Sequence, residues 1–92
     1  MIDELYDIIL DRKNNPVEGS YTVKLLSSGE DEILKKVGEE AIEVILAAKG
    51  QGNQRLVEET ADLLYHLLVL LARRDLPPSE VWAELRGRHS RP

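Results

Sequence analysis

Cysteine is absent from this chain of 92 residues. Disulfides and thiolate metal centres are therefore excluded, and the composition fits a reducing compartment. Positive charge is in deficit: the net charge is −5. A broad electrostatic grip on nucleic acid is not expected from such a balance. The opening residues, MIDELYDIIL, carry acids where a secretory signal carries bases. Long apolar runs are missing too. The longest, around residues 63–72, is broken by Tyr65 and His66 and is too short to span a bilayer. These absences point to a cytoplasmic protein with no membrane partner. No internal repeat or low-complexity tract is present. Residues 1–92 read as one small domain with a marginal core, for which partner chains would supply the missing burial.

What the chain does have is helical periodicity. Ile2, Leu5, Ile8 and Ile9 predict a first helix over 1–13, stopped by Asn14, Asn15 and Pro16. SYTVKLL (20–26) holds β-branched residues that permit a strand, but a lone strand has no partner, and a short helix or ordered loop is expected instead. Ser27 with Glu30, or Ser28 with Asp31, fits a capping box that opens a second helix running to about Lys49. Its main apolar face is Ile33, Leu34, Val37, Ala41, Val44, Ile45 and Ala48. Ile42 and Leu46 lie off that face, so the helix is apolar on two sides, one of which could meet a second subunit. Gly50 and Gly52 end it, and Asn53 is placed to cap a third helix reaching about Arg74. There, Leu56, Thr60, Leu63, Leu64, Leu67, Leu68, Leu70 and Leu71 form a wide face. Glu59, Asp62, His66 and Arg73 take the opposite arc, with Tyr65 and Val69 beside them. A last helix is expected from Pro78 to about Arg86, followed by a basic, frayed tail, GRHSRP. The expectation is an all-α antiparallel bundle of four main helices, with one short extra at most, completed by homo-oligomerisation.

Two acidic patterns fall on the second and third helices. Glu39, Glu40 and Glu43 form EExxE, and Glu59 and Asp62 form ExxD. Residues three and four apart share a helix face. In an antiparallel hairpin the two strips can converge. Clustered carboxylates raise one another's pKa unless a cation is present, and hard oxygen donors suit Mg²⁺ or Mn²⁺ shared with substrate phosphates. The plainer reading is that acidic residues on helices form a solvated face. Two clusters on consecutive helices weigh against it. Lys24 could reach a phosphate from SYTVKLL, or could simply be solvated.

Beyond these motifs, SYTVKLL, SSGEDEILKKVGEEAIEVILAAK, LVEETADLLYHLLVLLA and PPSEVWAEL resemble, in order and spacing, the phosphoribosyl-ATP pyrophosphatases of histidine biosynthesis. EExxE followed by ExxD also resembles the wider all-α, MazG-like nucleotide pyrophosphohydrolases. The resemblance implies Mg²⁺-dependent hydrolysis of phosphoribosyl-ATP to phosphoribosyl-AMP and pyrophosphate by a homodimer or larger homo-oligomer. By position it implies Glu40, Glu43, Glu59 and Asp62 as metal ligands, with Glu39 close by, and Lys24, Lys35 and Lys36 as phosphate-holding groups. A carboxylate not committed to metal, Glu39 or Glu43, would orient or deprotonate the attacking water. His66 either hydrogen-bonds Asp62 from behind the metal or is a satisfied core or interface histidine. Two rival readings stand beside this one. One is a pyrophosphohydrolase of plain nucleoside triphosphates such as dUTP or dCTP. The other is a non-catalytic helical dimerisation module.

Overall fold

The computed structural model describes residues 1–89. Within them the chain forms five α-helices and no strand: α1 (Ile2–Asn14), α2 (Tyr21–Ser27), α3 (Glu30–Gly50), α4 (Asn53–Arg73) and α5 (Pro78–His89). SYTVKLL is the short helix α2. Ser20 caps it, its side chain accepting from the Val23 amide. That bond offsets the weak helix propensity of Thr22 and Val23. The last helix continues past Arg86 to His89, so half of the tail expected to fray is helical. Residues 90–92 of that tail lie outside the described residues.

The start of α3 differs from the expected capping box. Its N-cap is Gly29, at φ 97°, with no side-chain cap bond. Ser27 closes α2 instead, and the Ser28 hydroxyl donates back to the Lys24 carbonyl at 2.6 Å. A linker this short leaves both serines bound to the helix behind them. Likewise Gly52, at φ 88°, precedes α4 where Asn53 was expected to cap, and Asn53 is its first residue. At both joints the chain turns through a left-handed conformation that glycine adopts without steric cost.

Helices α3 and α4, joined by two residues, form a hairpin with the most extensive helix–helix contact in the protein. Helix α1 packs on α4 and α2, and α2 also touches α3 and α4. The core is Tyr6 and Ile9 from α1, Leu25 from α2, Ile33 from α3, and Leu68, Val69 and Ala72 from α4. All of it gathers at the open end of the hairpin. Towards the hairpin tip, Ile42, Ile45, Leu46 and Val57 are exposed, as is Leu64 at the middle of α4.

The inward faces match only in part the ones that apolar counting picks out, which include the buried Ile33 and Leu68. On α3, Ile33 and Ala47 are buried while Leu34 and Ile45 are exposed. The helix is turned so that Glu40 points inward. On α4 the arc holding Glu59, His66, Val69 and Ala72 is buried, and Leu64 and Leu67 are exposed.

The end of α4 is closed by a Schellman motif. The Leu76 amide donates to the Leu71 carbonyl at 2.9 Å and the Asp75 amide to the Ala72 carbonyl at 3.0 Å. Asp75 supplies the left-handed residue, at φ 56°. Lys13 Nζ reaches across from α1 and donates to the Ala72 carbonyl at 3.1 Å and the Arg73 carbonyl at 3.4 Å, and pairs with Asp75 at 2.9 Å. Its charge offsets the negative end of the α4 dipole. Arg74 pairs with both carboxylate oxygens of Glu30, at 2.6 and 2.8 Å, tying the ends of α3 and α4 together.

Candidate metal centre

Three of the carboxylates converge. One oxygen each from Glu40, Glu59 and Asp62 lie within 4.8 Å of one another. Glu40 comes from the inward face of α3. Glu59 and Asp62 come from the facing side of α4, three residues apart and therefore neighbours. Glu59 is only 6% exposed, Glu40 is half-buried and Asp62 is exposed. The cluster thus opens to solvent on the Asp62 side. Three acidic oxygens at this separation, with one side open, suit a hard divalent cation that keeps water or phosphate ligands.

The electrostatics agree. Burial pushes the Glu40 carboxyl above the ordinary range, and the charges of Asp62 and Glu59 push it further, against the opposing influence of His66 and Lys36. Glu59 is paired with Arg55, one turn earlier on the same helix, whose guanidinium also holds Glu58.

Glu43 and Glu39 are not part of this group. Glu43 is half-buried on α3. Glu39 is exposed and lies 3.8 Å from Lys36 Nζ.

His66 is 5% exposed and satisfied on both nitrogens. Nδ1 lies 2.7 Å from the Asp62 backbone carbonyl, so Nδ1 carries the proton and donates. Nε2 then accepts from the Tyr21 hydroxyl at 3.1 Å. His66 therefore steadies the backbone of Asp62, not its carboxylate. The rings of Tyr21, Tyr65 and His66 pack together, and the Thr22 and Tyr65 hydroxyls share a hydrogen bond. Through these contacts α2 is fixed to α4, the helix that carries Glu59 and Asp62.

Two of the three candidate lysines share a groove. Lys24 and Lys36 line a depression of about 330 Å³ with Tyr21, Leu25, Ser28 and Glu32. Lys36 stands one turn before Glu40 on α3. Lys35 is exposed and does not line it. Tyr21, Tyr65 and Arg55 carry no weight in the motifs read from sequence. Only Arg55 leaves a signal there, since Glu58 and Glu59 follow it at helical pairing distance.

The sequence model described as phosphoribosyl-ATP pyrophosphohydrolase matches residues 2–89. A phosphoribosyl-ATP pyrophosphatase of Trichlorobacter lovleyi is 58% identical over 88 residues, covering 96% of this chain and 82% of that one. One from Pelotomaculum thermopropionicum is 55% identical over 91 residues, covering 99% and 93%. One from Sulfurisphaera tokodaii is 53% identical over 88 residues, covering 96% and 94%.

Proposed function

The chain belongs to the phosphoribosyl-ATP pyrophosphohydrolase family, and from that premise we propose that the carboxylates between α3 and α4 are its reaction centre. The activity is hydrolysis of phosphoribosyl-ATP to phosphoribosyl-AMP and pyrophosphate, the second step of histidine biosynthesis. A match along 2–89, well beyond the acidic motifs, favours this over a general nucleoside triphosphate pyrophosphohydrolase or a non-catalytic dimerisation module.

The observation that carries the site is the convergence of Glu40, Glu59 and Asp62 from two helices. We assign Mg²⁺ to it, with Mn²⁺ as a substitute. Glu43, one turn beyond Glu40 on the same helix, is the fourth ligand in this reading. The ion would supply positive charge to phosphate oxygens and to the departing pyrophosphate. The chain's own groups do the rest. Glu39 or Glu43 takes the proton of the attacking water at a carboxylate oxygen. Lys24 and Lys36, facing one groove, hold phosphates; Lys35 is the more peripheral candidate. Tyr21 and His66 keep α2 and Asp62 in register.

We further propose that the enzyme is a homodimer or larger homo-oligomer. The reason is the set of exposed apolar side chains on the tip half of the hairpin, Ile42, Ile45, Leu46 and Val57, with Leu64 at mid-helix. In so small a chain they suit a second copy, and two-fold dimers are the commonest symmetric assembly. The described helices include none long and apolar enough to cross a membrane, and we place the protein in the cytoplasm as one domain over 1–92.

The test is pyrophosphate release from phosphoribosyl-ATP against dUTP and dCTP, with and without Mg²⁺. Release of pyrophosphate, fastest from phosphoribosyl-ATP and dependent on Mg²⁺, is expected. Faster turnover of dUTP, or orthophosphate as main product, would refute the assignment.

A further inference from the structure

The most buried carboxylate of the cluster already has a cation beside it. Arg55 places Nη2 against Glu59 Oε1 and Nη1 2.5 Å from Glu58 Oε1. The other Glu58 oxygen accepts from Gln54 Nε2 at 3.2 Å. Glu58 therefore stays oriented as an acceptor whether or not Arg55 holds both residues. A buried carboxylate with no counter-charge is costly. Glu59 escapes that cost by way of Arg55. Arg55 itself is half-exposed, and its planar fork offers five donors. Its head can leave Glu59 for solvent and Glu58 without being buried anywhere.

Its location is otherwise hard to account for. Arg55 is the third residue of α4, and the first turn of that helix holds no acidic residue. A cation there opposes the helix dipole. Acceptors at both the third and fourth positions onward compensate for that opposition. One of them belongs to the proposed metal centre and the other does not.

We propose that Arg55 is a built-in competitor for the metal: it neutralises Glu59 while no divalent cation is bound and moves wholly onto Glu58 when one arrives. The proposal rests on reading Glu40, Glu59 and Asp62 as a metal centre. Metal binding is then an exchange of cations at Glu59. The exchange keeps the empty site folded and sets a lower limit on the metal concentration that loads it.

Calorimetric titration of the full chain with Mg²⁺, without substrate and at fixed ionic strength, tests this. The unmodified protein is compared with Arg55→Gln, Glu58→Gln and the double variant. Arg55→Gln should bind Mg²⁺ about three- to tenfold more tightly, the scale of one partly exposed ion pair. It should also melt at a lower temperature without metal. Glu58→Gln should weaken Mg²⁺ binding, because Arg55 then has only Glu59 to hold. In the Arg55→Gln background that second substitution should have little effect. A simple through-space influence of the two charges predicts additive changes instead, and additivity overturns the proposal. So does unchanged affinity in Arg55→Gln. If the unmodified protein binds no Mg²⁺ at all, the metal reading itself falls, and this proposal with it.

Discussion

The two ends of the α3–α4 hairpin are made of similar residues and end up in opposite surroundings. At the open end Ile33, Val69 and Ala72 are fully buried beneath α1 and α2. At the tip Ile42, Ile45, Leu46 and Val57 stand exposed. Glu40, Glu59 and Asp62 converge near the middle of the two helices, between the open-end core and the turn. An acidic centre in the middle of the open-end core would lose its water, and one at the bare tip would have no wall behind it. The boundary supplies a buried side for Glu59 and an open side at Asp62.

The largest effect should come from that boundary. Glu40→Gln, Glu59→Gln and Asp62→Asn keep shape and each remove one charge. Each is expected to lower turnover by at least about a hundredfold, given that even groups behind metal ligands cost tens of fold. Circular dichroism should show the helices intact, and the Mg²⁺-induced rise in melting temperature should shrink. Near-normal turnover in all three would return the cluster to an ordinary solvated face.

Next come the two ends themselves. Ile33→Ala empties a fully buried site and should cost about 2–4 kcal/mol whatever the protein concentration. Ile45→Ala at the tip should cost less, and its cost should vary with concentration if a second copy covers the residue. Light scattering on Ile45→Lys should then report a monomer that is still helical. An unchanged mass for Ile45→Lys would place the subunit contact elsewhere.

A smaller effect concerns pH. Glu40 holds its proton more tightly in the folded, metal-free protein than in the unfolded chain, chiefly through burial and then through Asp62. Its contribution to stability is full below the ordinary carboxylate range and is lost as pH rises through the raised folded value. The metal-free melting temperature should therefore fall modestly across that interval, and Glu40→Gln should flatten the profile. Mg²⁺ affinity should move the other way, rising as Glu40 ionises. A metal-free profile that is the same with and without Glu40→Gln would show that the proton is elsewhere.

The smallest expected change is Asp75→Gly. Glycine relieves the left-handed backbone at φ 56° but loses the pair with Lys13. These terms oppose each other, and the net shift should stay within about 0.5 kcal/mol in denaturant titration. A loss well beyond that would mean the Lys13 contact matters more than an exposed ion pair should.

The helices, the hairpin turn at Gly50–Gly52 and the approach of Glu40 to Glu59 and Asp62 were legible in sequence, because periodicity and glycine act locally. The joints were less so. Ser27 and Asn53 are good caps on paper, but Gly29 and Gly52 supply a conformation those residues could not take as cheaply. The facing of the helices was legible only in part. Leu34, Ile45, Leu64 and Leu67 belong to the main apolar faces by periodicity and are exposed, whereas Ile33 and Leu68 on those same faces are buried. Glu59 and His66 are buried in spite of their polarity, since Glu59 pairs with Arg55 and His66 bonds the Tyr21 hydroxyl and the Asp62 carbonyl. That partnership is a property of the packing, so the roles of Tyr21 and Tyr65, which join α2 to His66, left no trace in the pattern of residues.

The clamp made by Lys13 on the end of α4 bears on the order in which the molecule assembles. Its acceptors lie 59 and 60 positions further along the chain. Helices α3 and α4, by contrast, are separated by a turn of two residues and need only each other to close. During synthesis α1 emerges before α4, and its lysine cannot make these bonds until Ala72 and Asp75 have left the ribosome. Helix α1 is therefore fastened to α4 only once α4 is complete, whereas the hairpin that carries the carboxylates closes through contacts nearer in sequence.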